Sequence, residues 1–375
     1  MPPSHQPYPN SREDGASKSS MNKQKFNDIL LFIIDNLIWV FVIIALVTFS
    51  FTSSKFLTPN NLVNILFRVA ALGLLVIGQS FTMITANFDL SSESTMGFTA
   101  MIAALLMSSI DKGGWGLNLS PILAIILMIL LGALIGLFNG TLITKLKMNN
   151  FITTVAMLMV LRGATYAISP GTSVSFFADA FKFLGGGVIA RIPLANGTNL
   201  VIYTATIFLV LAFAVAFIIT RYRRLGRNMY AVGANRVAAQ AAGINSEKII
   251  VTVYIISGIC AALAGLIDAG RMDSATPRTG VNMIFVVQAA AVIGGISMFG
   301  GRGNLIGAFG GVLLWGIMDT GLNMMMVSPF WIEVTRGALL LFAMLVDAMK
   351  VSYLQRSAIR KALANNPIGL TDKSI

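Results

Sequence analysis

About ten long apolar runs, separated by short polar stretches, decide what this chain can become. A run of roughly 20 predominantly apolar residues crosses the hydrocarbon core of a bilayer as a helix. Spans are expected near Ile29–Phe51, Leu62–Thr85, Thr95–Ile110, Ile122–Thr144 and Phe151–Ile168. The second half adds Leu200–Thr220, Ile249–Gly270, Phe285–Met298, Leu305–Met326 and Trp331–Met349. Hydrophobic residues make up 56% and charged residues 11%, where a soluble domain carries about 25% charged. The expected fold class is an all-α polytopic membrane protein of about ten transmembrane helices, bathed in membrane lipid over residues 29–350.

Basic clusters set the orientation. Lys18, Lys23 and Lys25 precede the first span, and Lys145 and Lys147 follow the fourth. Arg221 to Arg227 follow the sixth, and Lys350, Arg356, Arg360 and Lys361 follow the last. An even count of spans with both termini cytoplasmic puts all four clusters inside, as the positive-inside rule asks. An odd count strands one cluster outside. Eight spans stay open if two of the shorter ones do not cross.

The formal charge of +12 therefore sits in loops and tails. Topology accounts for it, and nucleic acid is not an expected partner. Residues 1–28 are polar, Pro- and Ser-rich and lack an apolar h-region. They read as a disordered tail rather than a cleavable signal peptide, with Met21 as an alternative start. Residues 351–375 read as a cytoplasmic C-terminal tail. Cys260 is the single cysteine and His5 the single histidine. The sequence supplies no disulfide framework and no His/Cys metal cluster, and no cofactor is expected.

Residues 221–248, RYRRLGRNMYAVGANRVAAQAAGINSEK, form a basic interruption between two long apolar runs. Six basic residues face only Glu247, a net charge of +5. Ala238, Ala239, Ala241 and Ala242 favour a short helix, and Gly243 is placed to end it. A small helix projecting from a bundle of spans suits docking to a cytoplasmic partner.

Two spans end in unusual breaks. The first reads Ala86-Asn87-Phe88-Asp89-Leu90-Ser91-Ser92-Glu93-Ser94, and the second runs from Gly294 and Gly295 through Ser297 to Gly303. Apolar residues are threaded through both. Non-helical backbone at membrane depth survives only when buried in protein or lining a wet cavity, and transporters build pathways from such interrupted helices. A tight turn at the cytoplasmic surface is the other reading. Asn87 and Asp89 offer hydrogen-bonding groups to a small polar solute, and Phe88 an apolar face.

Gly132, Gly136 and Gly140 repeat every four residues, and so do Gly303, Gly307 and Gly311. Small residues at that spacing let helices approach closely in lipid. Asp35, Arg162, Asp268, Arg271, Asp319, Glu333 and Arg336 lie in or beside spans, where ionisable groups are the usual functional suspects. Asp268–Arg271 and Glu333–Arg336 sit three apart and can neutralise each other on one helical face. Asp319 has no local partner, as a proton- or sodium-driven carrier would need.

There is no G-x-x-x-x-G-K-[ST] run, hence no P-loop for ATP phosphates. No nucleophile elbow or zinc motif occurs either, and the chain does not read as an enzyme.

Three blocks then carry a family resemblance. Ile77-Gly78-Gln79 with Phe88-Asp89-Leu90-Ser91 is one. Gly226-Arg227, Tyr230 to Asn235 (with Gly233), Ala238-Ala239 and Ala242-Gly243-Ile244 make the second, and Val292 to Gly295, Ser297, Gly300-Gly301 and Gly303 the third. From about Leu62 to Asp347 the chain resembles the permease subunits of ribose-type ABC sugar importers. It departs from that pattern where Ala86 and Asn87 replace paired glycines and where Ser92-Glu93 follows Ser91.

The resemblance implies a translocation path for a monosaccharide or related polyol, made by two permease chains as a homo- or heterodimer in a bacterial inner membrane. A separate ABC ATPase subunit with two nucleotide-binding cassettes would drive it, and an extracytoplasmic solute-binding protein would deliver the solute. The ATPase-coupling residues implied are Gly226, Tyr230, Gly233, Asn235, Ala238, Ala239, Gly243 and Ile244. The path residues implied are Gln79, Asn87, Phe88, Asp89, Ser91, Gly294, Gly295 and Ser297. Rival readings are a proton- or sodium-coupled secondary carrier, an ABC permease for branched-chain amino acids and a non-transport scaffold.

Overall fold

The computed structural model describes residues 37–349 apart from 170, 176, 195, 196, 198, 343, 346 and 347. Both expected tails, the start of the first span and Asp35 lie outside the described residues. In chain order the helices are α1 (Leu37–Thr52), α2 (Pro59–Arg68), α3 (Ala70–Ile84), α4 (Ser92–Met107), α5 (Pro121–Lys145) and α6 (Asn150–Ile168). Next come α7 (Asp179–Gly186), α8 (Thr204–Tyr222), α9 (Arg224–Ala234), α10 (Arg236–Ala241) and α11 (Ser246–Met272). The last are α12 (Met283–Ile293), α13 (Leu305–Met324) and a helix beginning at residue 329, α14. Two small antiparallel pairs complete the fold: β1 (Val174–Ser175) with β4 (Ser274–Ala275), and β2 (Val188–Pro193) with β3 (Asn199–Tyr203).

Five helices, α5, α6, α8, α11 and α13, are long and apolar enough to cross a bilayer, and the bent pair α2–α3 makes up to six. This is a multi-pass helical membrane protein. Helix α11 is its axis: 67% of its most apolar window is buried, against 22% for α5. It packs on α3, α4, α5 and α7. The outward face of α5 exposes Ile122, Ile126, Leu130 and Leu134, a stripe at helical spacing that only lipid or another apolar chain satisfies.

The α5–α11 contact explains the first glycine series. A Cβ on Gly132 or Gly136 would strike the carbonyl oxygens of Gly258 and Tyr254, and one on Gly140 would stand 2.9 Å from Val251 Cα. Backbones lie against each other here, as small-residue spacing predicts.

The second series is shorter than expected. Gly303 precedes α13, with φ +142°, and Asn304 caps the helix by accepting from Ile306 N at 3.0 Å. Gly307 and Gly311 do lie on the helix and pack on the Gly294 and Ala290 carbonyls.

Three expected spans differ from the fold. Leu62–Thr85 is two helices meeting at 49°. Phe285–Met298 reduces to the 11 residues of α12, a rise of about 16 Å at 1.5 Å per residue, roughly half the hydrocarbon core. Residues 199–203 are strand rather than helix because they pair with β2.

Candidate functional site

Helix α3 stops at Ile84, and Ala86 turns the chain with a left-handed φ of +58°. Residues 87–90 are non-helical before α4 begins at Ser92. The second break follows α12, where Gly295, Gly300 and Gly301 take φ of +87°, +80° and +67°. Side chains rarely adopt that region, and glycine does so without steric cost.

The two breaks touch. Gly301 N donates to the Ile84 carbonyl at 2.9 Å, and a Cβ on Gly300 would stand 2.6 Å from Ala86 Cβ. Helix α9 seats on both. Gly233 lies under the Ile84 carbonyl with no room for a side chain, and Gly301 backs onto Ala234. Tyr230 Oη donates to Gly303 O at 2.8 Å. Burial raises the Tyr230 phenol above the ordinary tyrosine range, so it remains a donor. The second and third sequence blocks therefore meet at the end of α3, in the stretch that the two parts of the first block bracket.

The basic loop is two helices rather than one. Gly226 fits α9 against the Ile219 and Thr220 carbonyls at the end of α8. Asn235 caps α10 by accepting from Ala238 N at 3.0 Å. Gly243, with φ +80°, closes α10 with paired bonds. Gly243 N donates to Gln240 O at 2.9 Å and Ile244 N to Ala239 O at 3.0 Å, the 5→2 and 6→1 pattern of a Schellman end. Ala239 is turned into the protein, whereas Val237, Ala238 and Ala241 are exposed.

Polar groups of the first break are braced from three helices. Asp89 Oδ1 accepts from Ser91 N at 3.1 Å and Ser91 Oγ at 2.6 Å, and its Oδ2 accepts from Ser257 Oγ at 2.7 Å. Tyr254 Oη donates to Phe88 O at 2.7 Å, and Asn139 Nδ2 to Ser91 Oγ at 2.9 Å. Asn150 Nδ2 donates to Asn87 Oδ1 at 3.2 Å. Gln79 is fully buried on α3 beside this break, and neither amide atom has a partner among the described residues. In the second break Ser297 Oγ accepts from Phe299 N at 3.2 Å, Gly294 packs on Gly307 and Ala308, and Gly295 faces open space.

Local spacing does not show the most buried ion pair, Glu93 with Arg162. Glu93 Oε1 accepts from Arg162 Nη2 at 3.2 Å, and Glu93 Oε2 from Ile284 N at 3.0 Å. Arg162 Nη1 also donates to Pro277 O at 3.1 Å and Thr279 O at 2.8 Å. A carboxylate thus caps the buried N-terminus of the half-length helix α12, where the helix dipole favours negative charge. The partners lie 69 residues apart, beyond any local spacing rule.

Asp319 gains a partner from across the chain: Arg336 Nη2 lies 3.3 Å from its Oδ1, and Asn323 Nδ2 donates to its main-chain O at 2.6 Å. Asp268 and Arg271 pair at 2.7 Å, and Arg336 also bonds Glu333, as their spacing predicted.

Residues 61–344 match the family described as branched-chain amino acid transport system / permease component. The chain belongs to this permease family. It is 33% identical to the ribose import permease protein RbsC of Escherichia coli K12, over 84% of this chain and 93% of that protein. RbsC of Bacillus subtilis is 35% identical over 83% and 91%. The galactose/methyl galactoside import permease protein MglC of E. coli K12 is 30% identical over 88% and 98%. No solved structure matches. Permease membership accords with both breaks being part of one packed unit inside a multi-pass bundle.

Proposed function

We infer that this permease is the membrane-spanning subunit of an ABC importer for a monosaccharide or related polyol. One observation carries the reading: a single basic helix, α9, is seated on both interrupted spans through Gly233 and Tyr230. A push on that helix is delivered to both breaks at once. An ATPase subunit with two nucleotide-binding cassettes supplies the push, docking on Val237, Ala238 and Ala241. An extracytoplasmic binding protein supplies the solute, and a second permease chain the other half of the path. ATP hydrolysis then shifts the spans between inward and outward states through their different contacts. The wall of the path at the first break is Gln79, Asn87, Phe88, Asp89 and Ser91, with Gly294, Gly295 and Ser297 at the second. Gln79 offers its unpaired amide to solute hydroxyls.

Sugar relatives favour a sugar over a branched-chain amino acid. The pairing of Asp319 with Arg336 removes the free acid on which the secondary-carrier reading stood. In this reading α9 lies in the cytoplasm of a bacterium, the inner membrane surrounds the bundle, and the half-length helices bring the crossings to about ten.

The deciding experiment is uptake of labelled ribose, galactose, arabinose and leucine by cells expressing the full transporter. Uptake of a sugar that stops on ATP depletion and survives an uncoupler is expected. Uncoupler-sensitive uptake rejects the ABC reading, and leucine uptake alone moves it to amino acids. Orientation is read separately, in a Cys260→Ala background. Val237→Cys, 76% exposed, is expected to react with an impermeant thiol reagent only after permeabilisation, and Leu117→Cys beforehand.

A further inference from the structure

At the end of the bundle far from α9, a cavity of about 230 Å³ opens where α2 bends into α3. Its charged lining is Arg68, Asp268, Arg271, Asp319 and Arg336, with Trp315 beside them. Five ionisable side chains around one space between spans need water, partners or a ligand. The acids and guanidiniums are mostly paired. Asp268 holds Arg271 at 2.7 Å and Asp319 holds Arg336 at 3.3 Å. Glu333, outside the lining, also bonds Arg336, and with it the local acids and bases balance at three each. Arg68 is exposed and without a carboxylate among the described residues. Arg271 Nε and Arg336 Nε are buried there with no acceptor among the described residues.

The bend itself is tied to this wall. Arg271 Nη1 donates to the Arg68 carbonyl at 3.3 Å, at the joint between α2 and α3. Arg336 lies 5.4 Å over the Trp315 ring, so that ring is already covered and is not offered as a stacking face.

Resting on the importer reading, we propose that this cavity is an outer binding station for one neutral polyhydroxylated molecule of monosaccharide size. Hydroxyls donate and accept at once. They add to a carboxylate and a guanidinium without displacing either from its partner. A zwitterion finds Arg68 open to its carboxylate, but its ammonium gains a carboxylate only by taking Asp268 or Asp319 from its arginine, which both ion pairs resist. The volume falls below the roughly 300–1,000 Å³ of drug-sized sites, which suits one sugar ring and excludes larger chains. Occupancy touches Arg271, and through it the α2–α3 joint.

The test uses cells carrying the complete transporter with Val281→Cys, a half-buried lining residue, in the Cys260→Ala background. An impermeant methanethiosulfonate is expected to label it from outside and to block uptake. The transported sugar among ribose, galactose and arabinose is expected to slow labelling about tenfold at roughly ten times its Kd, with leucine without effect. Asp319→Asn and Asp268→Asn are each expected to raise the KM for uptake about tenfold, the loss of one charge-assisted bond, with subunit co-purification unchanged. A sugar that is imported yet neither slows labelling nor loses uptake to the adduct overturns the cavity and leaves the importer reading standing. Protection by leucine instead overturns the polyol assignment. No ATP-dependent sugar uptake by the unmodified chain overturns the importer reading and this one together.

Discussion

Gly301 donates its amide to the Ile84 carbonyl at 2.9 Å, and this single bond joins the two broken spans. Gly233 of α9 presses on the same carbonyl, so three backbone segments meet with no side chain between them. Side chains would fill such a joint with adjustable volume. Bare backbone leaves little slack at this joint, as the proposed coupling from α9 into both breaks would require.

Adding a methyl group there has a defined consequence. The Gly233→Ala Cβ overlaps the Ile84 carbonyl oxygen, and relief requires α9 to lift away. Overpacking of this kind costs about 1–3 kcal/mol. A lower Tm of the purified chain is expected, together with loss of uptake despite normal membrane insertion. Wild-type uptake by Gly233→Ala removes α9 from the coupling route.

Helix α10 separates docking from folding. Ala238 is exposed and Ala239 is 4% exposed. Ala238→Glu is expected to leave unfolding stability within about 0.5 kcal/mol of wild type, as surface changes do, and to reduce ATPase co-purification. Ala239→Glu buries an unpaired charge and is expected to lower Tm and expression first. Equal co-purification for wild type and Ala238→Glu counts against the docking face.

The Glu93–Arg162 pair is 7% and 14% exposed at its side chains, so deleting one member leaves the other buried and uncompensated. That loss is about 3–5 kcal/mol. Arg162→Ala also frees the Pro277 and Thr279 carbonyls. Arg162→Lys is expected to rescue little, because one ammonium does not reproduce the planar fork. Thermal unfolding of the purified variants reads this directly. The double variant Glu93→Gln with Arg162→Met is expected to be more stable than Arg162→Ala alone; if it is equally unstable, packing rather than charge explains the effect.

Apolar length and basic punctuation carried the membrane class, and both breaks were visible because Asn87, Asp89 and the glycines interrupt greasy runs. The α2–α3 bend was not visible. Neither glycine nor proline marks Val69, and the group at the joint, Arg271, arrives from 203 residues away. For the same reason Asp319 read as solitary: Arg336 is 17 residues on, across a turn. Composition does not say which face of the six-residue α10 turns inward, and Ala239 is the residue that does.

Asp89 distinguishes a brace from a solute ligand. Its two oxygens already accept three bonds, from Ser91 N, Ser91 Oγ and Ser257 Oγ. Asp89→Asn keeps the oxygen facing Ser91 and turns an amide toward Ser257, whose hydroxyl can accept instead of donate. The expected stability change is under about 1 kcal/mol, within the net worth of one hydrogen bond. Asp89→Ala strands the buried Ser91 amide and opens a void, with an expected loss of about 3 kcal/mol. If Asp89 only braces the break, uptake follows Tm: near normal in Asn, poor in Ala. If the solute needs the carboxylate, Asp89→Asn loses uptake at normal Tm and normal complex assembly. Full uptake by both variants removes Asp89 from the path and from the brace alike.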